Sequence, residues 1–345
     1  MRRRAEPDWV RAVSSAAVVL LHASSNFALR PSRFTLLGVT PAFFCNQLAR
    51  FAVPLFFLLS GLTLGFGRPE PLPGFLGRRL RRVGLPYLGW TLFYFLWTRR
   101  YLPGVLLSAG SLRLLGRDLL LGGAAAHLWF IPPLLELYLL YPFLRRLLRR
   151  RPRLTLACSL LLSLLCTLTV YVPLPLAGRF RAHLWRTFPC WLFYFVLGMA
   201  LAASGWDKLT AFCEKHWTAL LGIGLAAAFL YSLDSLRCGD PDSVKPQLFL
   251  YAPLCLAVLL AARRPFRQLP RGEAAAAFLA KHSMTVYFVH VFVLQVLRLV
   301  PAFQGSALGM LGLFAACLLL SCAAAVFLDA LAARLRRIPF PRRAA

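Results

Sequence analysis

The stretch DWVRAVSSAAVVLLH, from Asp8 to His22, is the clearest indication of how this chain folds. It opens the first apolar run long enough to cross a membrane, yet it places Arg11 and His22 within that run. Eleven residues of α-helix advance about 16 Å and make about three full turns, so the two side chains share one helix face. Arg11 is then expected near one membrane surface and His22 near mid-depth.

A charged, lipid-facing side chain at that depth costs about 2.5 kcal/mol or more, so His22 is expected to face the protein interior. A functional role is the default hypothesis for such a residue. Two other interpretations stay open. His22 is a neutral histidine that only bonds a neighbouring helix, or the stretch is a cleaved signal peptide, with arginines at 2–4 and small residues at 23–24. His22 interrupts the apolar region, which counts against a signal peptide.

The composition predicts an all-α polytopic integral membrane protein. The 345 residues are 59% hydrophobic with a mean hydropathy of +0.66, whereas soluble domains are roughly 45 to 50% apolar. The formal net charge of +28 would suggest nucleic acid in a soluble chain. Here the arginines cluster between apolar runs, where they set topology and contact anionic lipid headgroups. We therefore expect membrane lipids, and no nucleic acid, as partners.

Ten apolar runs are long enough to cross about 30 Å of hydrocarbon, allowing for tilt. They lie at 9–29, 42–66, 83–100, 125–144, 154–172, 187–203, 216–236, 247–262, 277–299 and 307–331. More than twice as many Lys and Arg fall on the side that carries both termini, so both termini are predicted to be cytoplasmic. We expect one domain over 1–345, with its core at about 5–335, in a plasma or bacterial inner membrane.

Residues 101–124, between the third and fourth runs, contain five glycines together with charged residues. Such a segment is predicted to be interfacial or re-entrant on the outer side of the membrane. A plain surface loop is an equally open interpretation.

The second run contains Arg50, one turn before Pro54. The proline leaves a backbone carbonyl about one turn earlier without its helical partner. A proline alone would indicate only a kink, but Arg50 beside it favours a cavity-lining or anion-binding role. Ser60, later in the same run, is predicted to line that cavity.

Arg79 and Arg82 stand three residues apart just before Pro86. On a helix they share a face at the cytoplasmic boundary and can present two guanidinium groups to phosphates. The competing interpretation is that they only determine topology, since any cytoplasmic loop gathers arginine.

The fourth run opens with His127 and Trp129, predicted at the outer interface, where a tryptophan is often only a headgroup anchor. Glu136 lies about two and a half turns deeper than His127. A buried glutamate is neutral or paired, so Arg50 or a histidine is its expected partner.

The ninth run adds Tyr287 and His290 to the polar residues inside apolar runs. The remaining histidines fall in or beside predicted loops and are interpreted as ordinary surface residues: His183, His216 and His282. No metal-binding or nucleotide-binding motif of the HExxH or P-loop type is present, and no GxSxG. The nine cysteines form no CxxC pair, so we interpret them as small core residues and predict no metal site.

Several of these features follow one another in a distinctive order. At 11–22 an Arg and a His are separated by ten residues, and at 50–61 an Arg is followed by Val-Pro-Leu-Phe-Phe and Ser-Gly. At 79–87 two Arg precede Pro-Tyr. The other three motifs are His-Leu-Trp-Phe at 127–130, Phe-Tyr-Phe-Val-Leu-Gly at 193–198 and Tyr-Phe-Val-His at 287–290. The ordered set resembles the acyltransferase family 3, over nearly the whole chain. The form at 127–130 is most similar to the surface-polysaccharide O-acetyltransferase branch.

The resemblance implies transfer of an acyl group, most often acetyl, from cytoplasmic acyl-CoA to a hydroxyl of a glycan or its lipid-linked precursor. It implies catalytic roles for His22 and Arg11, binding of acyl-CoA by Arg79 and Arg82, and no bound cofactor. Seven further residues are expected to contact the acceptor or to line the cavity: Arg50, Ser60, His127, Trp129, Glu136, Tyr287 and His290.

Two departures and two alternatives qualify the resemblance. Another branch of the family has a carboxylate five residues after the Trp, where this chain has Leu134. A fused esterase-like domain is also expected to be absent. Buried Arg, His and Glu equally describe a proton-coupled transporter or flippase, although no paired broken segments are visible in two halves. A membrane scaffold is the third possibility, disfavoured by the number of buried ionisable groups.

Overall fold

A computed structural model of the protein describes residues 4–28, 30, 34–68, 70–99, 108–172, 183–238 and 244–335. Within these ranges the chain is helical and forms no sheet strand, which confirms the all-α prediction there. The α-helices, numbered along the described chain, are α1 (Ala5–Ser24), α2 (Pro41–Leu48), α3 (Ala52–Gly65), α4 (Leu72–Arg79), α5 (Leu85–Arg99), α6 (Ala109–Leu121), α7 (Ile131–Arg150), α8 (Pro152–Tyr171), α9 (Leu192–Ser204), α10 (Trp206–Lys215), α11 (Trp217–Arg237), α12 (Leu248–Phe266), α13 (Gly272–Leu297) and α14 (Ala307–Leu335).

Each of the ten predicted runs overlaps helix within the described ranges. By length and apolar composition, six helical segments of the described residues can cross a membrane. A seventh is added if α9, with the short turn before it, and α10 form one span bent by 90°. The six are Pro41–Gly65, Pro152–Tyr171, Trp217–Arg237, Leu248–Phe266, Gly272–Leu297 and Ala307–Leu331. The protein is therefore a multi-pass membrane protein, and ten crossings stay a prediction.

Helix α8 shows the polarity of a lipid-facing helix. Five of its leucines are exposed: Leu154, Leu160, Leu161, Leu162 and Leu165. The buried residues recur every four positions and carry hydroxyl groups: Thr155, Ser159, Ser163 and Thr167. The Ser163 hydroxyl donates to the carbonyl of Pro189 at 2.7 Å and accepts from the amide of Phe193 at 3.0 Å. Hydroxyl groups that bond across helices, with apolar residues outside, are typical of helix packing in lipid.

Helix α1 lies at the centre of the bundle, packed against α2, α3, α12, α13 and α14. It is not among the six apolar segments, because it carries several polar residues that the neighbouring helices cover. Asp8, Ser14, Ser15 and Ser24 are all buried. An ionisable side chain on α1 therefore faces protein and not lipid, as the sequence predicted for the helix that carries His22.

Helices α3 and α9 cross in very close contact. A Cβ atom on Gly61 would collide with the backbone carbonyl of Phe195, and one on Gly198 with the carbonyl of Leu58. Small residues let helix backbones approach closely in membranes, where van der Waals packing drives association. The Ser-Gly and Val-Leu-Gly motifs of the sequence are therefore packing motifs.

We expect Gly198→Val to lower the free energy of unfolding by about 1 to 3 kcal/mol or more, because the added side chain has only backbone to displace. Thermal unfolding in detergent measures the effect. Gly222→Val in α11 is the matched control, since a Cβ atom on Gly222 meets nothing within 4 Å. Equal melting temperatures for the two variants would contradict the close crossing.

We expect reporter fusions at Ala345 and within 173–186 to report opposite sides of the membrane, with the C-terminus cytoplasmic. The excess of basic residues on the terminal side gives this orientation. Residues 336–345 and 173–182 lie outside the described ranges, so the fusions test what the structure does not address. An extracytoplasmic C-terminus would contradict the predicted topology.

Two sequence interpretations need correction. His282 is not a surface residue: it is buried, with a ring nitrogen 3.2 Å from the Asp329 carboxylate. It was interpreted as lying beside a loop, but α13 begins at Gly272, about three turns before His282, and α14 packs against it there. The two other histidines of that group are exposed, as predicted: His183 and His216. Residues 109–121, for which a plain loop stayed open, form helix α6.

Candidate active site

Three histidines from three separate apolar runs meet inside the bundle. His22 lies in the last turn of α1, His290 in α13, and His127 just before the 3-10 turn Leu128–Phe130 that leads into α7. The ring centroids are 5.2 Å apart for His22 and His290, 5.0 Å for His127 and His290, and 6.4 Å for His22 and His127. We call these three residues the histidine cluster.

The backbone around His127 is fixed from two sides. Helix α6 ends at Gly122 in the left-handed conformation, with φ +64°, and a Cβ atom there would collide with the backbone of Trp129. Glycine is the residue that tolerates both conditions. From the opposite side, the hydroxyl of Tyr287 donates to the carbonyl of His127 at 2.5 Å. His127 was expected at the outer interface, and the structure buries it in the cluster.

The loop that follows residue 182 is tied to the same turn. Arg186 donates to the carbonyl of Leu121 at 3.1 Å, directly before Gly122. Burial lowers the pKa of the Arg186 guanidinium, Arg117 adds to this, and Asp118 acts in the opposite direction. This contact helps to hold the α6 terminus in place.

The histidine cluster carries ring nitrogens without hydrogen-bond partners. The Nδ1 atom of His290 lies 3.1 Å from the carbonyl of Val286 and 2.7 Å from that of Tyr287. A carbonyl only accepts, so Nδ1 carries the proton and Nε2 is an acceptor. Among the described residues, neither Nε2 of His290 nor either ring nitrogen of His127 has a hydrogen bond of normal geometry. Buried polar groups are nearly always bonded, so these nitrogens point to a bound molecule or water.

Two arginines accompany His22. The charges of Arg50 and Arg298 both act on its imidazole. Arg50 donates to the side-chain oxygen of Asn46 at 2.8 Å, and Arg298 donates to the backbone carbonyl of His22 at 2.6 Å. Guanidinium groups so placed are suited to stabilise negative charge that develops during a reaction. Arg298 was missed from sequence, although a basic residue inside the ninth run was a signal for it.

Two tyrosines pack edge-on against His127, with ring centroids 5.2 Å away for Tyr94 and 5.1 Å for Tyr287. The Tyr94 hydroxyl donates to the carbonyl of Phe288 at 2.8 Å and accepts from the amide of Phe292 at 3.0 Å. It thereby ties α5 to α13 beside the cluster. Tyr287 was predicted as a site residue; Tyr94 was missed, because nothing distinguishes it within an aromatic run.

A second group lies toward the other end of α1, around the buried hydroxyl of Tyr138 in α7. The guanidinium of Arg79 lies 5.5 Å from the Tyr138 ring centroid. Arg82 and Arg11 also act electrostatically on this hydroxyl, and Ser60 lies beside it. We call Arg11, Arg79 and Arg82 the arginine cluster. Ser60 was predicted to line the acceptor cavity, and the structure places it here instead.

The structure separates Arg11 from His22. The Arg11 guanidinium pairs with Asp8 at 2.9 Å and donates to the hydroxyl of Thr63 at 3.2 Å. Arg11 and His22 are joined by about 16 Å of helix. The shared face that the sequence predicted therefore links two sites, and Arg11 belongs with the arginine cluster.

A π-helix, Leu80–Gly84, connects α4 to α5 and contains Arg82. The sequence predicted a regular helix here, with Arg79 and Arg82 one turn apart. Single π-helical turns inside helices occur frequently at functional sites. Both arginines still act on Tyr138, so the altered turn keeps them together.

Two further predicted site residues lie apart from both clusters. Glu136 accepts a hydrogen bond from the amide of Phe188 at 2.7 Å, in place of the expected arginine or histidine. It lines a mostly apolar cavity of about 550 Å³. Trp129 packs against Trp185 and Trp191, with ring centroids 4.8 and 5.3 Å away. Trp129 is therefore part of an interior aromatic group, which differs from the role of a headgroup anchor.

Within the described ranges, no group of three or more His, Cys, Asp or Glu side chains is arranged to hold a metal ion. The histidine cluster therefore does not have the geometry of a metal site. What it offers is imidazole nitrogens near two positive charges, an arrangement suited to acid–base chemistry.

A family model described as an acyltransferase domain matches residues 4–329 of the 345. The chain belongs to acyltransferase family 3. The match includes both the histidine cluster and the arginine cluster. No curated protein and no solved structure matches the chain. The function of this acyltransferase therefore rests on the family and on the chemistry of its own side chains.

Proposed function

We propose that this acyltransferase moves an acyl group, most often acetyl, from cytoplasmic acyl-CoA to a hydroxyl of a cell-surface glycan or its lipid-linked precursor. The observation that carries the proposal is the division of α1 between two sites. The arginine cluster lies toward its N-terminal end and the histidine cluster at its C-terminal end. A donor with charged phosphates at one end and a thioester at the other matches that division.

The arginine cluster provides the binding site for the donor. Guanidinium groups bind phosphate oxygens through strong, charge-assisted hydrogen bonds. Arg79 is half-buried and Arg82 exposed, so both reach water at the membrane boundary that the sequence assigns to the cytoplasm. The pantetheine arm of the donor then extends along α1 toward the histidine cluster.

In the proposed reaction, His22 acts as the general base. A neutral imidazole, with an ordinary pKa near 6.5, is suited to take the proton of the acceptor hydroxyl at neutral pH. The hydroxyl oxygen bonds to the thioester carbonyl carbon, and the carbonyl oxygen becomes negative beside Arg50 and Arg298. The carbon–sulfur bond then breaks, and the CoA thiolate leaves with the proton from His22.

Mass spectrometry of surface glycans from cells with and without the gene tests the reaction directly. We expect acyl groups to be lost from one class of glycan. In parallel, purified protein in nanodiscs receives labelled acetyl-CoA and glycan from the deletion strain, and release of the CoA thiol is followed. Identical acylation in both strains, with altered glycan export, would overturn the proposal and favour a transporter or flippase.

A further inference from the structure

Arg298 closes the C-terminal end of α1. The last four carbonyls of an α-helix have no partner within the helix, and α1 ends at Ser24, so the carbonyl of His22 is one of them. Nη2 of Arg298 donates to this carbonyl at 2.6 Å. A positive charge at a helix C-terminus also interacts favourably with the helix dipole. Arg298, which directly follows α13, therefore acts as a cap for α1.

The neighbouring carbonyl on α1 has a related partner. The side-chain amide of Asn46 donates to the carbonyl of Leu21 at 3.0 Å, and Asn46 in turn accepts from Arg50. Both arginines that act on the His22 imidazole are thus tied to the last turn of α1, Arg298 directly and Arg50 through Asn46. The turn that orients His22 and the charges around it are fixed by the same contacts.

The guanidinium of Arg298 has a hydrogen-bond donor that no described residue accepts from. Its side chain is half-buried, and its Nε atom has no hydrogen-bond partner among the residues that the structure describes. An arginine needed only to cap a helix gains from leaving its remaining donors in water. A buried, open N–H next to the histidine cluster is instead suited to a ligand oxygen.

We propose that Arg298 is a positioning residue for acyl transfer, which holds the last turn of α1 through the His22 carbonyl and sets a second positive charge beside the His22 imidazole. This inference rests on the proposed function. Arg298, at the end of α13, would then affect the reaction step. It would not affect donor binding, because the arginine cluster lies toward the other end of α1.

The test uses full-length protein in nanodiscs, with acetyl-CoA varied at a fixed amount of deletion-strain glycan. Arg298→Met keeps the apolar stem but removes the charge and the donors. We expect kcat to fall roughly 10²-fold, the loss typical of removing one preorganised donor to a developing charge. KM for acetyl-CoA is expected to stay unchanged. Arg298→Lys keeps a charge and is expected to recover about tenfold of the loss, without the guanidinium geometry.

Arg30→Met is the matched control. Arg30 donates to the carbonyl of Gln304 at 2.6 Å, and Gln304 donates to the carbonyl of Arg298 at 2.7 Å. Arg30 thus makes a guanidinium–carbonyl bond of the same length in the same region, but it is exposed and does not contact the His22 turn. We expect its kcat to stay near the wild-type value.

The outcomes separate this inference from the proposed function. If Arg298→Met keeps the kcat of Arg30→Met while His22→Gln is inactive, the inference fails and the proposed function stands. If His22→Gln is as active as the wild type, His22 is not the base and the positioning role of Arg298 fails with it. If the wild-type protein transfers no acetyl group to the glycan, the proposed function fails. Should Arg298→Met not accumulate in the membrane, Arg298→Lys and Arg298→Gln decide. A kcat at least about tenfold higher for Lys supports the role of the charge, and equal values overturn it.

Discussion

Replacing His22 by glutamine is expected to lower kcat for acyl transfer by about 10²- to 10⁴-fold, the usual contribution of a general base. Glutamine keeps hydrogen-bonding capacity but cannot take a proton at neutral pH. No described residue hydrogen-bonds the His22 imidazole, and the side chain is half-buried, so the variant loses little folding energy. His22→Ala is expected to accumulate in the membrane like the wild type and to be equally inactive.

His216→Gln provides the control for this substitution, because His216 is exposed between α10 and α11. It is expected to keep full activity. The measurement is the initial rate of CoA thiol release, with thermal unfolding recorded for each variant. A purified His22→Gln variant with near wild-type rates would show that His22 is only structural. His127 or His290 would then be the next candidate base, since each ring lies within 6.4 Å of His22.

The sequence predicted the helical segments well because the length and apolarity of a run are local properties. Each of the ten runs overlaps helix among the described residues. The exact ends were less accessible: α13 begins five residues before the run at 277–299, at Gly272, where the chain is still partly polar. His282 lies within that run, and the packing of α14 against α13 is what buries it. Its partner, Asp329, lies on another helix and could not be inferred.

Individual residues of the site were predicted more successfully than their grouping. His22, His127 and His290 stood out because an ionisable side chain in an apolar run is costly. Helix geometry placed His22 on the face of Arg11, but only the packing of α1 against α13 shows that His22 meets His290. Spacing along one helix determines a face and leaves the neighbouring helix undetermined.

Contacts that involve backbone groups were not accessible from the sequence. Glu136 was expected to pair with a charged side chain, and its partner is the amide of Phe188. Arg298 likewise acts on the carbonyl of His22. Every residue carries a carbonyl and almost every residue an N–H, so residue type gives no signal for such bonds. Tertiary packing alone selects which of them a side chain reaches.

The second large effect is expected at the arginine cluster. Charge-assisted contacts to phosphate contribute about 1.5 to 3 kcal/mol each, so Arg79→Ala and Arg82→Ala should each weaken apparent donor affinity by roughly tenfold or more. The double variant should lose more donor affinity than either single variant. Isothermal titration with acetyl-CoA measures the donor affinity, and the rate at saturating donor shows that the reaction step is retained.

Arg81→Ala is the control that decides between donor binding and topology. Arg81 lies next to Arg82 in the π-helix Leu80–Gly84 and carries the same charge. It is exposed and is not among the arginines that act on Tyr138. If the three arginines only determine topology, the three alanine variants should behave alike. If Arg79 and Arg82 bind phosphates, Arg81→Ala keeps wild-type affinity while the other two lose it. Free CoA should show the same losses as acetyl-CoA, because the phosphates, and not the acyl group, reach the arginine cluster.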